Sequence, residues 1–249
     1  MQVDLSTYLA LEDARRPRRA LSLHALSAAD MEAGLERHRF MPMFQPRVRP
    51  LDGSVHSVQA TVFWAHPRHG MLAPSAFLCE ADQFGLLEQV AEQLMRNALA
   101  AWRDWRPGAS LPLLSLHLSG AVLRTAGMAR LLNGLIGASG LDRQGIEFEA
   151  DSLPSVLTLD APQLTEATES AVARLGLEQR VAQALASGLR VVAGGVDSLL
   201  EWQLAKELGC DVAQGEFIAA PMPLKGLPTA LNFWRSSYRA LSAPDFFDL

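Results

Sequence analysis

From about residue 29 onward, apolar positions fall into alternating and helical periodicities in turn. A helix is expected over 29–38, opened by Ser27 or Asp30 as its cap. It leads into an apolar run at 40–44. Residues 54–64 read as a strand. Pro74 opens a further helix with Ser75 near its start, and 86–105 is a long amphipathic helix ended by Pro107-Gly108. Strands are expected at 113–118, 146–150, 156–159, 189–193 and 212–218. Helices are expected at 121–138, 166–187 and 198–208, with Gly188 and Gly209 where helices stop. Strands alternating with helices of this length predict βα units around a parallel sheet or barrel. Residues 1–30 read differently. A short helix fits 3–11, and Pro17 within Arg15-Arg16-Pro17-Arg18-Arg19 breaks it, because proline restrains both itself and its predecessor. The expected organisation is an arm or linker over 1–30, a main domain over 31–235 and a tail over 236–249.

Composition narrows the class. The chain has 249 residues, 49% hydrophobic and 20% charged, with a net charge of −5. That mild acidity gives no electrostatic reason to expect a nucleic-acid groove. The local cluster of Arg15, Arg16, Arg18 and Arg19 reads as a solvated linker. No apolar run reaches the length of a membrane span, and acids occur early in the chain without a signal-peptide layout, so a cytoplasmic protein is expected. Cys79 and Cys210 both sit among apolar residues and are expected as buried free thiols. His66 and His69 flank Pro67 in a turn and read as structural. Trp102 and Trp105, three apart on a helix, read as packing residues.

Seven short segments, in order, carry a resemblance. They are Phe44-Gln45-Pro46; Trp64-Ala65-His66-Pro67-Arg68-His69-Gly70; Pro74-Ser75-Ala76-Phe77-Leu78 with Glu80-Ala81; and Leu116-His117-Leu118-Ser119. Next come Ile146-Glu147-Phe148-Glu149, the run LRVVAGGV at 189–196, and Glu207-Leu208-Gly209-Cys210-Asp211 with Gln214-Gly215 and Pro221-Met222-Pro223. This collinear set resembles the EAL family of cyclic-di-GMP phosphodiesterases from about residue 40 to 223. The implied fold is α/β, a TIM-like EAL barrel, here modified and missing about one βα unit. In that family, carboxylates and an asparagine at the strand ends hold two metal ions that polarise a phosphodiester and activate water.

The resemblance also shows where this chain departs from the family. The E-A-L motif is Gln59-Ala60-Thr61, so a carboxylate has become an amide. Phe63 stands where the family places an arginine on a ligand phosphate. His117 replaces the asparagine, whereas Glu149 keeps the metal-binding glutamate. The acidic D-D-F-G-T-G segment has no counterpart: Glu149-Ala150-Asp151-Ser152 runs almost directly into Leu153-Pro154 and 155–160. On that alignment Thr158 replaces a lysine and Gly194 a glutamate, while Asp197 partly mimics the last position of that motif. Asp151 reads as a helix cap. The surviving polar set is Gln45, His117, Glu149, Asp197 and Gln214.

One carboxylate and an imidazole are too few hard ligands for two dications. No catalytic set and no metal or other cofactor are therefore expected, Glu149 and His117 being vestigial. Magnesium or manganese enters only if the chain is an active enzyme. Gln45, Phe63, Gln214 and Phe217 are the ligand-binding candidates. Phe217 lies where the family often carries an aromatic that stacks on guanine, and core packing is the equal alternative. The expected function is a degenerate, catalytically inactive regulatory domain in bacterial signalling that acts through a protein partner, with a homodimer left open. A cyclic-di-GMP receptor that binds without hydrolysis, and then weakly, is the alternative. An active phosphodiesterase comes third.

Overall fold

A computed structural model describes residues 26–105, 112–118, 127–149 and 155–241. Ser27 caps α1 (Ala28–Glu36), its hydroxyl accepting the Asp30 amide. The next elements are β1 (Phe40–Val48), β2 (Val55–His66), β3 (Gly70–Leu72), α2 (Leu78–Gln83), α3 (Leu87–Asp104), β4 (Leu113–His117), α4 (Met128–Ser139) and β5 (Ile146–Glu149). After them come β6 (Val156–Leu159), α5 (Ala161–Glu169), α6 (Ala171–Ala186), β7 (Arg190–Gly194), α7 (Leu199–Glu207), β8 (Val212–Gln214) and α8 (Leu227–Leu241). Asp151 and the Leu153-Pro154 pair lie outside the described residues.

The strand order is β5-β4-β2-β1-β8-β7-β6, with β3 paired to β2 as a hairpin. β1 is antiparallel to both its neighbours, and the remaining pairs along the path are parallel. The sheet is therefore a curled, truncated TIM-like barrel, as the resemblance implied. Among the described residues its path ends at β5 on one side and β6 on the other. These are the strands between which the family's extra βα unit would lie. The Arg190 guanidinium donates to the Glu147 carboxylate, so an ion pair links β7 to β5 from opposite arms of the sheet.

Strand alternation divides the two faces. On β2, Val58, Ala60, Val62 and Trp64 are buried together with Met31, Ala81, Leu94 and Met95 from the helices. Ser57, Gln59, Thr61 and Phe63 occupy the opposite face. A second apolar cluster joins Val48, Leu159, Val181, Val191, Trp202, Phe217 and Trp234 on the β6–β8 side.

Several expectations need correction. The single helix expected over 166–187 is two. Asp160 forms a capping box with Gln163 and starts α5 five residues earlier, at Ala161. Ser170, extended at φ −129° and ψ 118°, then ends it and caps α6 through the Ala173 amide. Cys210 is buried as expected, and burial raises its thiol pKa to about 12. Cys79 is exposed, because it is the second residue of the short α2, whose buried residue is Ala81. Residues 236–241, placed in the tail, continue α8, where Tyr238 packs on Trp202 and Trp234.

The β2–β3 hairpin turns on His66, which is 3% exposed. Its Nδ1 accepts the amides of Arg68 and His69, each at 3.2 Å. Protonation of Nδ1 would break both bonds. Burial, the neighbouring His69 and the positive charges of Arg68 and Arg39 lower the pKa, with Asp30 opposing. A histidine depressed in the folded state leaves stability intact above its unfolded pKa. Stability falls as pH drops from about 6.5 through the folded value. His66→Asn keeps a side-chain acceptor for the turn but cannot titrate there. Urea denaturation from about pH 7 to 5 should show a loss of stability in the native chain that is reduced in this variant.

Candidate functional site

The parallel strands β4, β5, β7 and β8 end in His117, Glu149, Gly194 and Gln214. In barrels of this kind the strand C-termini carry the functional site. His117 is in register with Glu149, and Gly194 with Gln214. Gln45 on β1 is paired with Gln59 on β2. Three positions separated in sequence are thereby drawn together.

Their side chains form one amide cluster. The Gln214 Nε2 donates to Gln45 Oε1 and to Gln59 Oε1, both at 2.7 Å, which uses both of its hydrogens. Gln45 Nε2 donates to the Ala219 carbonyl at 2.9 Å. The Thr61 hydroxyl donates to Gln59 Oε1 at 3.3 Å. Because Gln45 donates from one end and accepts at the other, each amide orientation follows from its partners. The cluster is half-buried and carries no formal charge. The oxygens of Gln45 and Gln59 already accept hydrogen bonds from Gln214, so a dication would have to displace it. Magnesium and manganese favour charged oxygen ligands, and these three amides do not fit one. Among the described residues no group of three or more His, Cys, Asp or Glu is arranged to hold a metal.

The other candidates lie apart from this cluster. Thr158 is exposed on β6, in register with Val192. Phe63 is half-buried on the same face of β2 as Gln59, four residues on. Phe217 is only 8% exposed and is held in the second core, stacked on Trp202 with ring centroids 6.1 Å apart and edge-on to Trp234. Of its two readings, the structure supports packing. Asp197 Oδ1 accepts the Glu216 amide at 2.7 Å, and Glu201 accepts the amides of Asp197 and Ser198 in the α7 capping box. The Asp197 carboxylate is thus built into the turn before α7. The sequence reading missed Thr61 as a partner of Gln59, although two-residue alternation places them on one face.

The backbone around Gly194 is closely packed at its neighbours rather than at Gly194 itself. A Cβ there would meet only the Leu159 carbonyl, at 3.5 Å. Gly195 instead has φ +73° against Ala161. At Gly215 a Cβ would lie 2.0 Å from the Val196 carbonyl oxygen, which only glycine allows.

The family model for the EAL domain matches residues 28–153. MucR of Pseudomonas aeruginosa, a bifunctional diguanylate cyclase/cyclic di-GMP phosphodiesterase, is 24% identical over 241 residues; the match covers 80% of this chain and 35% of MucR. The cyclic di-GMP phosphodiesterase RocR of the same species is 25% identical, over 88% of this chain and 67% of RocR. Of the first curated relatives, the chain thus spans between about a third and two fifths of their length. Among solved structures, the P. aeruginosa MucR phosphodiesterase in complex with c-di-GMP superposes with a TM-score of 0.72 at 23% identity, covering 83% of this chain and all of that one. The P. aeruginosa FimX EAL domain bound to c-di-GMP gives 0.66 at 17% identity, covering 78% and 95%.

Two substitutions test the local structure by denaturant unfolding. Gln214→Leu leaves the oxygens of Gln45 and Gln59 without their donor and should cost about 1–3 kcal/mol. Gly215→Ala should destabilise by at least about 1–3 kcal/mol through overpacking, whereas Gly194→Ala should change stability by less than about 1 kcal/mol.

Proposed function

The chain belongs to the EAL domain family, and from that premise we propose that it is a member without phosphodiesterase activity that acts in bacterial signalling by binding another protein. The observation that supports this reading is the neutral amide cluster of Gln45, Gln59 and Gln214. Phosphodiester hydrolysis requires charge to be stabilised as it develops on the phosphoryl oxygens, and metal ions or cationic groups normally supply it. Gln59 has no negative charge with which to hold a metal. Thr158 offers no cation where the resemblance expects a lysine, and Gly194 offers no carboxylate. The fold is nevertheless retained, and such a scaffold with a neutral site is suited to presenting a surface.

The second reading is a receptor that binds cyclic-di-GMP without hydrolysing it. Its support comes from the similar domains of MucR and FimX, whose structures hold c-di-GMP. Two features of this chain weigh against tight binding: Phe63 offers no charge to a phosphate, and Phe217 is committed to the core. A missing charge-assisted contact accounts for about tenfold to a hundredfold in affinity.

Calorimetric titration with cyclic-di-GMP, with and without magnesium, together with chromatography of the products, separates the readings. The expected result is no linear dinucleotide and a dissociation constant weaker than about 1 μM. Submicromolar binding without product would establish the receptor reading. Linear product that EDTA abolishes would establish an enzyme. The combined variant Gln59→Glu, Thr158→Lys and Gly194→Glu should also stay inactive with manganese or magnesium. It restores side chains at three strand positions but not the acidic segment that the sequence lacks between Glu149 and Val156.

A further inference from the structure

At the opposite end of the sheet from the glutamine cluster, the strands begin around a cavity of about 350 Å³. It is lined by Arg49, just beyond the end of β1, His56 near the start of β2, Arg190 at the start of β7, and Lys206 in the last turn of α7, with Asp211 preceding β8. Three permanent cations thus face one carboxylate, on a chain whose overall charge is −5. That carboxylate is occupied, since Asp211 Oδ2 accepts the Val191 amide at 2.8 Å. Among the described residues the guanidinium of Arg49 hydrogen-bonds to neutral partners, the Ser54 hydroxyl at 3.2 Å and the His56 ring at 3.1 Å, and the Asp52 carboxylate is near enough to feel its charge. Among the described residues the Lys206 ammonium has no ion-pair partner. Arg190 is paired with Glu147, which is not itself part of the cavity lining.

The tautomer of His56 follows from the same contacts. A guanidinium can only donate, so His56 Nδ1 accepts and Nε2 carries the hydrogen. Nε2 lies 3.7 Å from Glu147 Oε2, and neither atom has a hydrogen-bond partner. The cavity lining therefore gathers two guanidinium forks, an ammonium and an imidazole against the single carboxylate of Asp211, with Glu147 and Asp52 outside the lining.

We propose that this cavity is a binding site for a small phosphate-bearing anion, taken between Arg49, Arg190 and Lys206. Arginine forks match phosphate oxygens in pairs, whereas chloride gains no such geometry. A volume of about 350 Å³ stands at the lower end of ligand pockets, which suits a phosphomonoester of a small molecule as well as free phosphate. The proposal is independent of whether the glutamine cluster is catalytic. His56 serves as a local reporter. Burial and the charges of Arg49, Arg190 and Arg47 lower its pKa against the opposing Glu147, and an anion in the cavity would relieve that field and raise it.

The test is NMR titration of the isotopically labelled chain with inorganic phosphate, ribose 5-phosphate and, at matched ionic strength, sodium chloride. Saturable shifts of the His56 ring and the Arg49 and Arg190 side chains with phosphate but not chloride, and a rise in the His56 titration midpoint, are expected. Arg49→Gln and Lys206→Gln, both at exposed positions, should each weaken binding by about tenfold or more while leaving amide signals elsewhere unchanged. Tighter binding of ribose 5-phosphate than of phosphate assigns the site to phosphomonoesters, and equal binding assigns it to the free ion. Shifts that chloride reproduces, that do not saturate, or that persist unchanged in both variants would overturn the proposal.

Discussion

The antiparallel pairing of β1 with β2 runs through nine residue pairs, from Phe40 opposite Trp64 to Val48 opposite Val55, and the other strands are placed relative to it. A register shift at Arg47 and Val48 adds local twist. Val48 there pairs with Val55 of β2 on one edge and with Ala213 of β8 on the other. The same pairing sets Gln45 beside Gln59 and Arg47 beside Ser57, so it fixes the spacing of polar groups on one face. On the other face it aligns Phe44 and Ala60 with the helices of the first core. A one-residue slip would exchange those faces entirely.

Within that frame, the two ends of the sheet have opposite electrostatic character. Near the strand C-termini three neutral amides are tied together through the Gln214 donor. The strand beginnings gather guanidiniums around Glu147 and Asp211. Buried polar groups need partners in either case. At the glutamine end the oxygens of Gln45 and Gln59 are satisfied from within, by Gln214. At the arginine end charge remains over.

Much of the fold was legible in the sequence, and less of the site. The helix expected over 86–105 is α3 at 87–104, because a long 3.6-residue apolar period leaves little ambiguity. The break between α5 and α6 was not legible. Ser170 and Asp160 are ordinary polar residues until their hydroxyl and carboxylate are seen to cap. Gln45, Gln59 and Gln214 could be picked out through the family resemblance. Their mutual hydrogen bonds could not, since Gln45 and Gln214 stand 169 residues apart and meet only after β1 pairs with β8. Phe217 shows the same limit: an aromatic near a strand end serves a ligand or a core equally well. The rings it packs against, Trp202 and Trp234, do not adjoin it in sequence.

The division of the apolar interior has a bearing on how the chain assembles as it is made. The first core draws on residues from Met31 to Ile136, with Leu227 and Leu231 added late, and the second on Leu159 to Trp234 with Val48. Each core is thus nearly contiguous along the chain, and local contacts form soonest. During synthesis β1, β2, β4 and β5 can pack on α1, α3 and α4 while the second half is still on the ribosome. In that interval the β8 side of β1 has no strand beside it, and exposed strand edges invite pairing with other chains. The nascent protein is therefore most in need of a chaperone between the emergence of β5 and the arrival of β8.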